Sequence, residues 1–274
     1  MPIPAPPPLP NEHGAWTMVS IPIVLGLCAT HAASLPAWST GAATFLAFLA
    51  HYAIVPWAAR TRVGKPSPPG YAVRRIAWGV VYLAGSVACF APALLVSQAQ
   101  SAVLPIAATS AGLAAVYAAA SIVGAGRMLF FEILGMGGMA LVAPMMAAAA
   151  GHPVSDAIFA PAYLALSYFL SSVAFVRTYD GVKRHERPAI ARCLAAQAAI
   201  VLGLIVVARL GGLVPLWWLS WLPIVGRSAL GVARPPANLR ALGVREAWVA
   251  VAFTLIAASV VVWSDCTLPR PPAG

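Results

Sequence analysis

Long apolar segments, separated by short polar connections, follow one another along the whole chain. A helix that crosses a bilayer needs roughly 17–25 mostly apolar residues, and about nine segments meet that requirement. The pattern therefore predicts an all-α fold, a polytopic membrane helix bundle with about nine transmembrane helices. The nine segments are residues 15–33, 37–59, 76–97, 102–123, 128–150, 156–176, 190–210, 213–232 and 247–264.

The break between the seventh and eighth segments has two interpretations. It consists of Gly211 and Gly212, and Pro215 and Pro223 follow. So short a break fits a re-entrant pair of half-helices as well as two complete spans. We favour two spans, because nine crossings place the basic connections on one side of the membrane.

The same pattern divides the chain into three parts. Residues 1–14 are predicted to form a cytoplasmic Pro-rich tail, in which the prolines of residues 1–10 exclude a helix. Residues 15–265 are predicted to form a single transmembrane helical domain, and residues 266–274 an extracytoplasmic tail.

The composition excludes a water-soluble protein. Of the 274 residues, 61% are apolar and 9% are charged, and the mean hydropathy is +0.85. Soluble domains carry about 25% charged residues. The net charge of +10 would suit nucleic acid, but the basic residues lie at segment ends and not on one soluble face. Membrane lipids are therefore the expected partners and nucleic acid is not; protein partners are left open.

The basic residues also predict the orientation of the chain. Fifteen of the seventeen Lys and Arg residues fall in alternate connections, and only Arg209 and Arg270 lie on the other side. Cytoplasmic connections carry an excess of Lys and Arg, so we expect a multi-pass protein of the cell (inner) membrane with a cytoplasmic N-terminus and an extracytoplasmic C-terminus. The four basic groups are Arg60, Arg62, Lys65, Arg74 and Arg75; Arg127; Arg177, Lys183, Arg184, Arg187 and Arg192; and Arg227, Arg234, Arg240 and Arg245.

The chain has only seven acidic residues, so each can be weighed separately. Asp156 and Asp265 are expected at outer helix ends, and Glu246 at the start of the last helix. Hydration and the helix dipole account for all three. Glu12, Glu132, Asp180 and Glu186 remain.

Glu132 lies about one turn inside the fifth segment, among apolar neighbours. A carboxylate at that depth needs a cationic partner or a water-filled cavity. A structural pair with Arg127 and a functional acid that lines a cavity both remain open.

Asp180 is surrounded by cations where the sixth segment leaves the membrane. Arg177, Lys183 and Arg184 stand three or four residues from it, which places them together if the helix continues. The group is either a solvated helix end or an anion site for phosphate formed by the three cations.

Three further polar positions are candidates for lining or gating a cavity. Glu12 and His13 open the first helix, where Glu12 could cap it and His13 could donate to an anion. His51 lies inside the second segment beside Tyr52, as a buried neutral histidine or as a gate. No metal-ligand spacing surrounds it, and no metal site is expected.

The topology, with long cytoplasmic connections after the second and sixth segments, resembles the UbiA superfamily of intramembrane prenyltransferases. Those enzymes bind a prenyl diphosphate through Mg²⁺, which two aspartate-rich motifs hold. Residues 51–66 resemble the first motif and keep its basic tail, but Tyr52, Val55 and Ala59 stand where the family has aspartates. The second motif, near residues 177–187, keeps Asp180. Residues 131–135 also resemble the start of the fifth helix in some quinone-pathway members.

With these substitutions, the resemblance implies ligand binding more than a prenyl-transfer reaction. Mg²⁺ prefers carboxylate oxygens, so no cofactor is expected, and Mg²⁺ is expected only if prenyl transfer is retained. Whether the protein is an enzyme is left open. The implied function is binding of an isoprenoid, a quinone or an anionic lipid at a basic cavity that faces the cytoplasm. Its headgroup residues would be Arg60, Arg62, Lys65, Arg177, Asp180, Lys183 and Arg184, and its cavity or gate residues Glu12, His13, His51, Tyr52 and Glu132.

Two short motifs give a more specific resemblance. Residues 12–16, Glu-His-Gly-Ala-Trp, and residues 242–246, Leu-Gly-Val-Arg-Glu, are similar to the YwiC-like membrane proteins. That resemblance implies no activity. A transporter or exporter with Glu132 as its coupling acid, and an accessory subunit of a membrane complex, therefore remain as alternatives.

Overall fold

A computed structural model of the chain describes residues 6–10, 13–30, 34–95, 100–183, 189–213, 216–233 and 238–264. Within these residues the fold is all-α, as predicted, and contains no strand. The α-helices are α1 (His13–Ala29), α2 (Leu35–Arg62), α3 (Tyr71–Leu95), α4 (Gln100–Ile122), α5 (Leu129–Ala140), α6 (Val142–Ala149), α7 (Ala160–Lys183), α8 (Ala189–Arg209), α9 (Leu222–Ala233) and α10 (Leu239–Ser264), and two 3₁₀ turns cover Asp156–Phe159 and Trp217–Trp221.

Seven helical segments of the described residues are long and apolar enough to cross a membrane. They confirm a multi-pass membrane protein, but the predicted number of nine spans is not confirmed. Two of the expected spans are shorter: the apolar part of α1 covers Gly14–Ala29, and α9 has 12 residues. The seven segments are Leu35–Arg62, Tyr71–Leu95, Ser101–Ile122, Leu129–Ala149, Asp156–Tyr179, Ala189–Arg209 and Ala241–Trp263.

The predicted eighth span is divided into two unequal pieces. Gly211 ends α8 in a left-handed conformation with φ of 80°, and Leu216 adopts a left-handed φ of 62° before the 3₁₀ turn. The chain then continues into α9, whose bounds are Leu222–Ala233. Pro215, which suggested the break, lies outside the described residues.

The helices that carry most of the lipid-facing surface are α3, α4 and α8. Only 17% of the apolar window of α3, and 11% of those of α4 and α8, is buried inside the protein. Apolar faces of that extent are unfavourable in water and favourable against hydrocarbon chains. The exposure pattern therefore agrees with the membrane location that the composition predicts.

The core is formed around α1, α5, α7 and α10. Leu25 of α1, Leu164 of α7 and Phe253 of α10 are completely buried there, and the rings of Tyr168 and Phe253 lie 4.7 Å apart. At the start of α1, Trp16 donates a hydrogen bond to the carbonyl of Pro10, which ties the Pro-rich segment to the bundle.

Glycines allow α4 and α5 to approach each other closely. A Cβ atom on Gly138 would lie 3.1 Å from the carbonyl oxygen of Ser110, whose hydroxyl donates to the Gly138 carbonyl at 2.8 Å. A Cβ on Gly135 would lie 2.9 Å from the ring of Tyr117. Small residues at such contacts are typical of packed membrane helices.

The α4–α5 contact gives a testable prediction. Gly138→Ala should lower the melting temperature of the purified protein in detergent, because its methyl group meets backbone; overpacking of this kind costs about 1–3 kcal/mol. Gly137→Ala is the matched control. Its methyl group meets only a side-chain carbon of Leu113 at 3.7 Å, so the melting temperature should stay the same or rise. Equal effects of the two variants would contradict the packing argument.

Candidate functional site

The connection between α2 and α3 carries a cluster of cations without a carboxylate. Residues 60–75 contain five basic side chains and no acidic one. Arg62 and Lys65 are exposed, and the others are partly buried at the helix ends. We call this group the α2–α3 cluster; its members are Arg60, Arg62, Lys65, Arg74 and Arg75.

Two members of the cluster are held in place over one aromatic ring. The guanidinium carbons of Arg60 and Arg75 lie 5.5 Å and 5.2 Å from the centre of the Tyr71 ring. Arg60 also donates to the carbonyl of Pro66 at 2.8 Å, and Arg75 donates to the carbonyl of Tyr52. A guanidinium has five N–H donors, so both side chains keep donors for an anion after these contacts are made.

The predicted gate residues His51 and Tyr52 lie next to this cluster. The His51 ring stacks on Tyr117 of α4, with centroids 5.7 Å apart and an angle of 13° between the planes, and it meets the edge of Tyr52. Both side chains are half-buried. The arrangement joins α2 to α4 by aromatic packing, and a gating role for His51 and Tyr52 stays a prediction.

Glu132 forms an ion pair, but with a different partner from the one expected. Its carboxylate lies 2.8 Å from a guanidinium nitrogen of Arg177 on α7, and the same nitrogen donates to the backbone carbonyl of Arg127 at 2.7 Å. The proposed pair with the Arg127 side chain is wrong because α5 begins only at Leu129. Arg127 therefore precedes the helix, and does not share a helical face with Glu132.

The ion pair changes the predicted headgroup site. Among the described residues, no hydrogen bond, ion pair or ring contact joins Arg177 to the α2–α3 cluster, and Glu132 already balances the charge of Arg177. Several other members of the predicted set cannot be placed. Glu12 and Arg184 lie outside the described residues, as do the side chains of His13, Asp180 and Lys183.

A buried ion pair that the sequence did not predict lies between α9 and α10. Arg227 is 1% exposed, and one of its guanidinium nitrogens is 2.9 Å from the Glu246 carboxylate. The guanidinium also donates to the hydroxyls of Ser171 and Ser172 and lies 4.7 Å from the centre of the Phe175 ring. These contacts join α9 and α10 to α7.

The hydrogen-bond network continues into α8. The Ser171 hydroxyl donates to the side-chain carbonyl of Gln197 at 2.9 Å, and the Gln197 amide donates to the Ser171 backbone carbonyl at 3.2 Å. Successive hydrogen bonds from Arg227 to Ser171 and from Ser171 to Gln197 thus link α9, α7 and α8. A buried arginine costs several kcal/mol unless it is paired, so this network is a requirement of the fold.

Two expectations from the sequence are wrong here. Glu246 was expected at the start of the last helix, but α10 begins at Leu239 and places Glu246 two turns inside. Arg227 was expected among the exposed cytoplasmic charges, but α9 continues to Ala233. One feature of the sequence could have indicated the buried arginine: Arg227 is a single cation within the apolar run of residues 222–233. Counting the basic residues of each connection hides this position, because it groups Arg227 with the cations that follow.

Two grooves lie on either side of α9. The α8–α9 groove has a volume of about 820 Å³ and is lined by apolar side chains of α7, α8 and α9, with Gln197 as a polar member. The α9–α10 groove has a volume of about 890 Å³ and includes Arg227, Arg245 and Trp248. Both volumes lie in the range of small-molecule sites, roughly 300–1,000 Å³.

The residues that resemble the first aspartate-rich motif do not fit the Mg²⁺ that the UbiA resemblance implies. Tyr52, Val55 and Ala59 offer no carboxylate on the helix that ends in the α2–α3 cluster. Among the described residues, no three His, Cys, Asp or Glu side chains lie close enough to hold a metal ion. A hard divalent cation needs several oxygen ligands, so we derive no step through a metal.

Helical spans, lipid-facing apolar surfaces and paired intramembrane charges define the class of the protein as a multi-pass integral membrane protein. The family model described as YwiC-like protein matches residues 9–147, just over half of the chain. The chain therefore belongs to the YwiC-like family, as its Glu-His-Gly-Ala-Trp motif predicted. No curated protein and no solved structure matches it, so the likeness to UbiA enzymes stays a resemblance of topology.

The two ion pairs should differ in their effect on stability. Arg227→Ala leaves Glu246 buried without a partner and should lower the free energy of unfolding by about 3–5 kcal/mol. Arg177→Ala breaks a pair whose side chains are 46% and 24% exposed, and should cost about 1 kcal/mol or less. Melting temperatures in detergent, compared between these variants, provide the measurement. A larger decrease in melting temperature for Arg177→Ala than for Arg227→Ala would contradict the burial of the Arg227–Glu246 pair.

Proposed function

We propose that the protein binds an amphiphile with an anionic headgroup, either a phospholipid or a prenyl phosphate, at the α2–α3 cluster. The observation that carries this proposal is that five cations gather within residues 60–75 without any carboxylate. Arg60 and Arg75 are already fixed over Tyr71, so little side-chain entropy is lost when they bind a phosphate.

The charge balance of the described residues favours this cluster over the other basic groups. Glu132 balances Arg177, and Glu246 balances Arg227. A cation that already has a carboxylate partner gains less from a second anion. In the α2–α3 cluster the phosphate oxygens of a ligand would supply the missing negative charge through charge-assisted hydrogen bonds.

The position of the cluster also suits a headgroup. The cluster includes the last turn of α2, which carries Arg60 and Arg62, and the start of α3, and an apolar helix is expected to meet the membrane surface at such an end. Basic residues at that level attract anionic lipid, with a contribution of about 1 kcal/mol for each Lys or Arg. The chain of the amphiphile would lie in the lipid beside the two helices.

A transport function has less support. It would use Glu132 as a coupling acid, but the Glu132 carboxylate lies 2.8 Å from a guanidinium nitrogen of Arg177, a contact that joins α5 to α7. Prenyl transfer would need carboxylates to hold Mg²⁺, and the described residues bring no such group together. Binding is the part of the predicted function that these residues can perform.

The proposal includes an orientation, with the α2–α3 cluster on the cytoplasmic side. A single cysteine at Ser67, in a chain whose native cysteines are replaced, should react with a membrane-impermeant maleimide only after the cells are opened. Cysteine at Ser155, which is in the connection between α6 and α7, should react in intact cells. Both serines are exposed, and a thiol replaces a hydroxyl with little change in size. The reverse labelling pattern would contradict the orientation.

Binding itself can be tested first with a variant at an exposed position of the cluster, Arg62. Arg62→Gln should weaken the affinity of the protein in neutral nanodiscs for added phosphatidylglycerol about fivefold, which corresponds to about 1 kcal/mol. Arg209→Gln, at the far end of α8, removes the same charge and should have no effect. The double change Arg60→Gln and Arg75→Gln should abolish binding, and a rising salt concentration should weaken the native affinity.

Comparison of ligands in the same assay distinguishes the two sources of phosphate. Phosphatidylglycerol, farnesyl diphosphate and inorganic pyrophosphate are titrated separately. Higher affinity for farnesyl diphosphate than for phosphatidylglycerol would identify a prenyl phosphate as the ligand. Higher affinity for phosphatidylglycerol would identify a lipid headgroup. If Arg62→Gln and Arg209→Gln have equal effects, the proposed site is wrong.

A further inference from the structure

Pro56 lies inside α2 and cannot supply one of the hydrogen bonds of that helix. In a regular α-helix the N–H of residue 56 would donate to the carbonyl of residue 52. Proline has no N–H, and its ring crowds the carbonyl four residues earlier and pushes it away from the helix axis. The carbonyl concerned is that of Tyr52. Backbone carbonyls inside a protein normally accept a hydrogen bond, so a donor from another element is expected here.

The guanidinium of Arg75 on α3 is that donor. α3 packs closely along α2: a Cβ atom on Gly79 would lie 2.5 Å from Cγ1 of Ile54, and the Ser86 hydroxyl donates to the carbonyl of Ala43 at 2.7 Å. Arg75 stands four residues before Gly79 and therefore on the same face of α3. The packing of the two helices thus brings the Arg75 side chain to the turn of α2 that precedes the proline.

Arg75 also belongs to the proposed headgroup site. Its guanidinium carbon lies 5.2 Å from the centre of the Tyr71 ring, over which the Arg60 guanidinium is also placed. A guanidinium that donates to a carbonyl and lies against a ring has lost much of its rotational freedom before a ligand arrives. The entropy lost when the ligand binds is correspondingly smaller.

We propose that Pro56 is a positioning residue of the α2–α3 cluster. It directs the Tyr52 carbonyl to Arg75 across the helix contact, and that hydrogen bond holds the guanidinium ready for an anionic headgroup. The inference rests on the function proposed above and adds the part of α2 that prepares the site. In this role Pro56 acts through Arg75 and needs no contact with the ligand.

Pro56→Ala tests the proposal in the full-length protein. Alanine is the best helix former, so the change favours α2, and the restored N–H at position 56 competes with Arg75 for the Tyr52 carbonyl. The ligand is phosphatidylglycerol or farnesyl diphosphate, whichever the native protein in neutral nanodiscs binds more tightly. Affinity should fall about twofold to tenfold, the range expected when one long side chain must be immobilised on binding.

Pro92→Ala is the matched control for this variant. Pro92 also lies inside an α-helix, but it is in the last turn of α3, at the opposite end from Arg74 and Arg75. Its replacement should leave the affinity at the native value. An equal decrease in both variants would show a general effect of removing a helix proline and would overturn the proposal.

A double variant separates positioning from a change in the shape of α2. Arg75→Gln alone should weaken binding, and the addition of Pro56→Ala should cause no further decrease, because the proline acts through that arginine. If Pro56→Ala lowers the affinity by the same factor with and without Arg75, the proposal is wrong. It is also wrong if Pro56→Ala leaves the affinity of the otherwise native protein unchanged.

Chemical modification of Arg75 tests the positioning without a ligand. Phenylglyoxal reacts with accessible guanidinium groups, and tandem mass spectrometry locates the modified arginine. In Pro56→Ala, Arg75 should react about twofold faster or more, because a competing donor weakens the hydrogen bond that holds it. Arg62, which is exposed, should keep its rate.

The two measurements distinguish the two proposals. An unchanged rate of Arg75 modification in Pro56→Ala would overturn the positioning role, whatever the affinities are. A faster rate, in a protein whose native form binds neither phosphatidylglycerol nor farnesyl diphosphate, would reject the function proposed for the cluster and leave the contact between Pro56, Tyr52 and Arg75 standing.

Discussion

Every charge at hydrocarbon depth must be neutralised and hydrogen-bonded inside the protein, and the arrangement of the last four helices follows from that requirement. Arg227 contacts Glu246 on α10 and the hydroxyls of Ser171 and Ser172 on α7, and Ser171 extends the network to Gln197 on α8. Apolar packing alone gives weak orientation between membrane helices, since lipid tails are as apolar as leucine. The hydrogen bonds of the Arg227 guanidinium therefore orient α9 and α10 against α7, and the Ser171–Gln197 contact adds α8.

The same requirement explains how the chain can have many more basic than acidic residues. Glu132 and Glu246 each balance one arginine that joins two helices, so they act as contacts within the bundle. The exposed cations at helix ends need no acid, because water and lipid phosphates hydrate and neutralise them. A basic group without a carboxylate is thus stable at an exposed helix end, which is where the α2–α3 cluster lies. The ligand binding proposed for the cluster would use the same lack of a neutralising acid.

Sequence reasoning succeeded where a single periodic signal decides the outcome. Apolar length gave α2, α3, α4, α7, α8 and α10, because hydrogen bonding within a helix is the available solution for backbone in lipid. The prediction failed at Glu246 and Arg227, because a charged residue near the end of an apolar segment is assigned to the solvent unless its partner is known. That partner lies 19 positions away along the chain, and only the packing of α9 against α10 brings the two together. The Glu132–Arg177 pair, 45 positions apart, was missed for the same reason.

The short length of α9 follows from the same contacts. The left-handed residue Leu216 and the 3₁₀ turn at Trp217–Trp221 shorten the helix, and Trp221 anchors the turn by donating to Ser167 at 3.4 Å. The 12-residue helix leaves a groove on each side and keeps Arg227 against α7. The family model ends at residue 147, before this region. The α2–α3 cluster thus belongs to the part of the chain that defines the family, whereas the grooves beside α9 belong to the part that the model does not match.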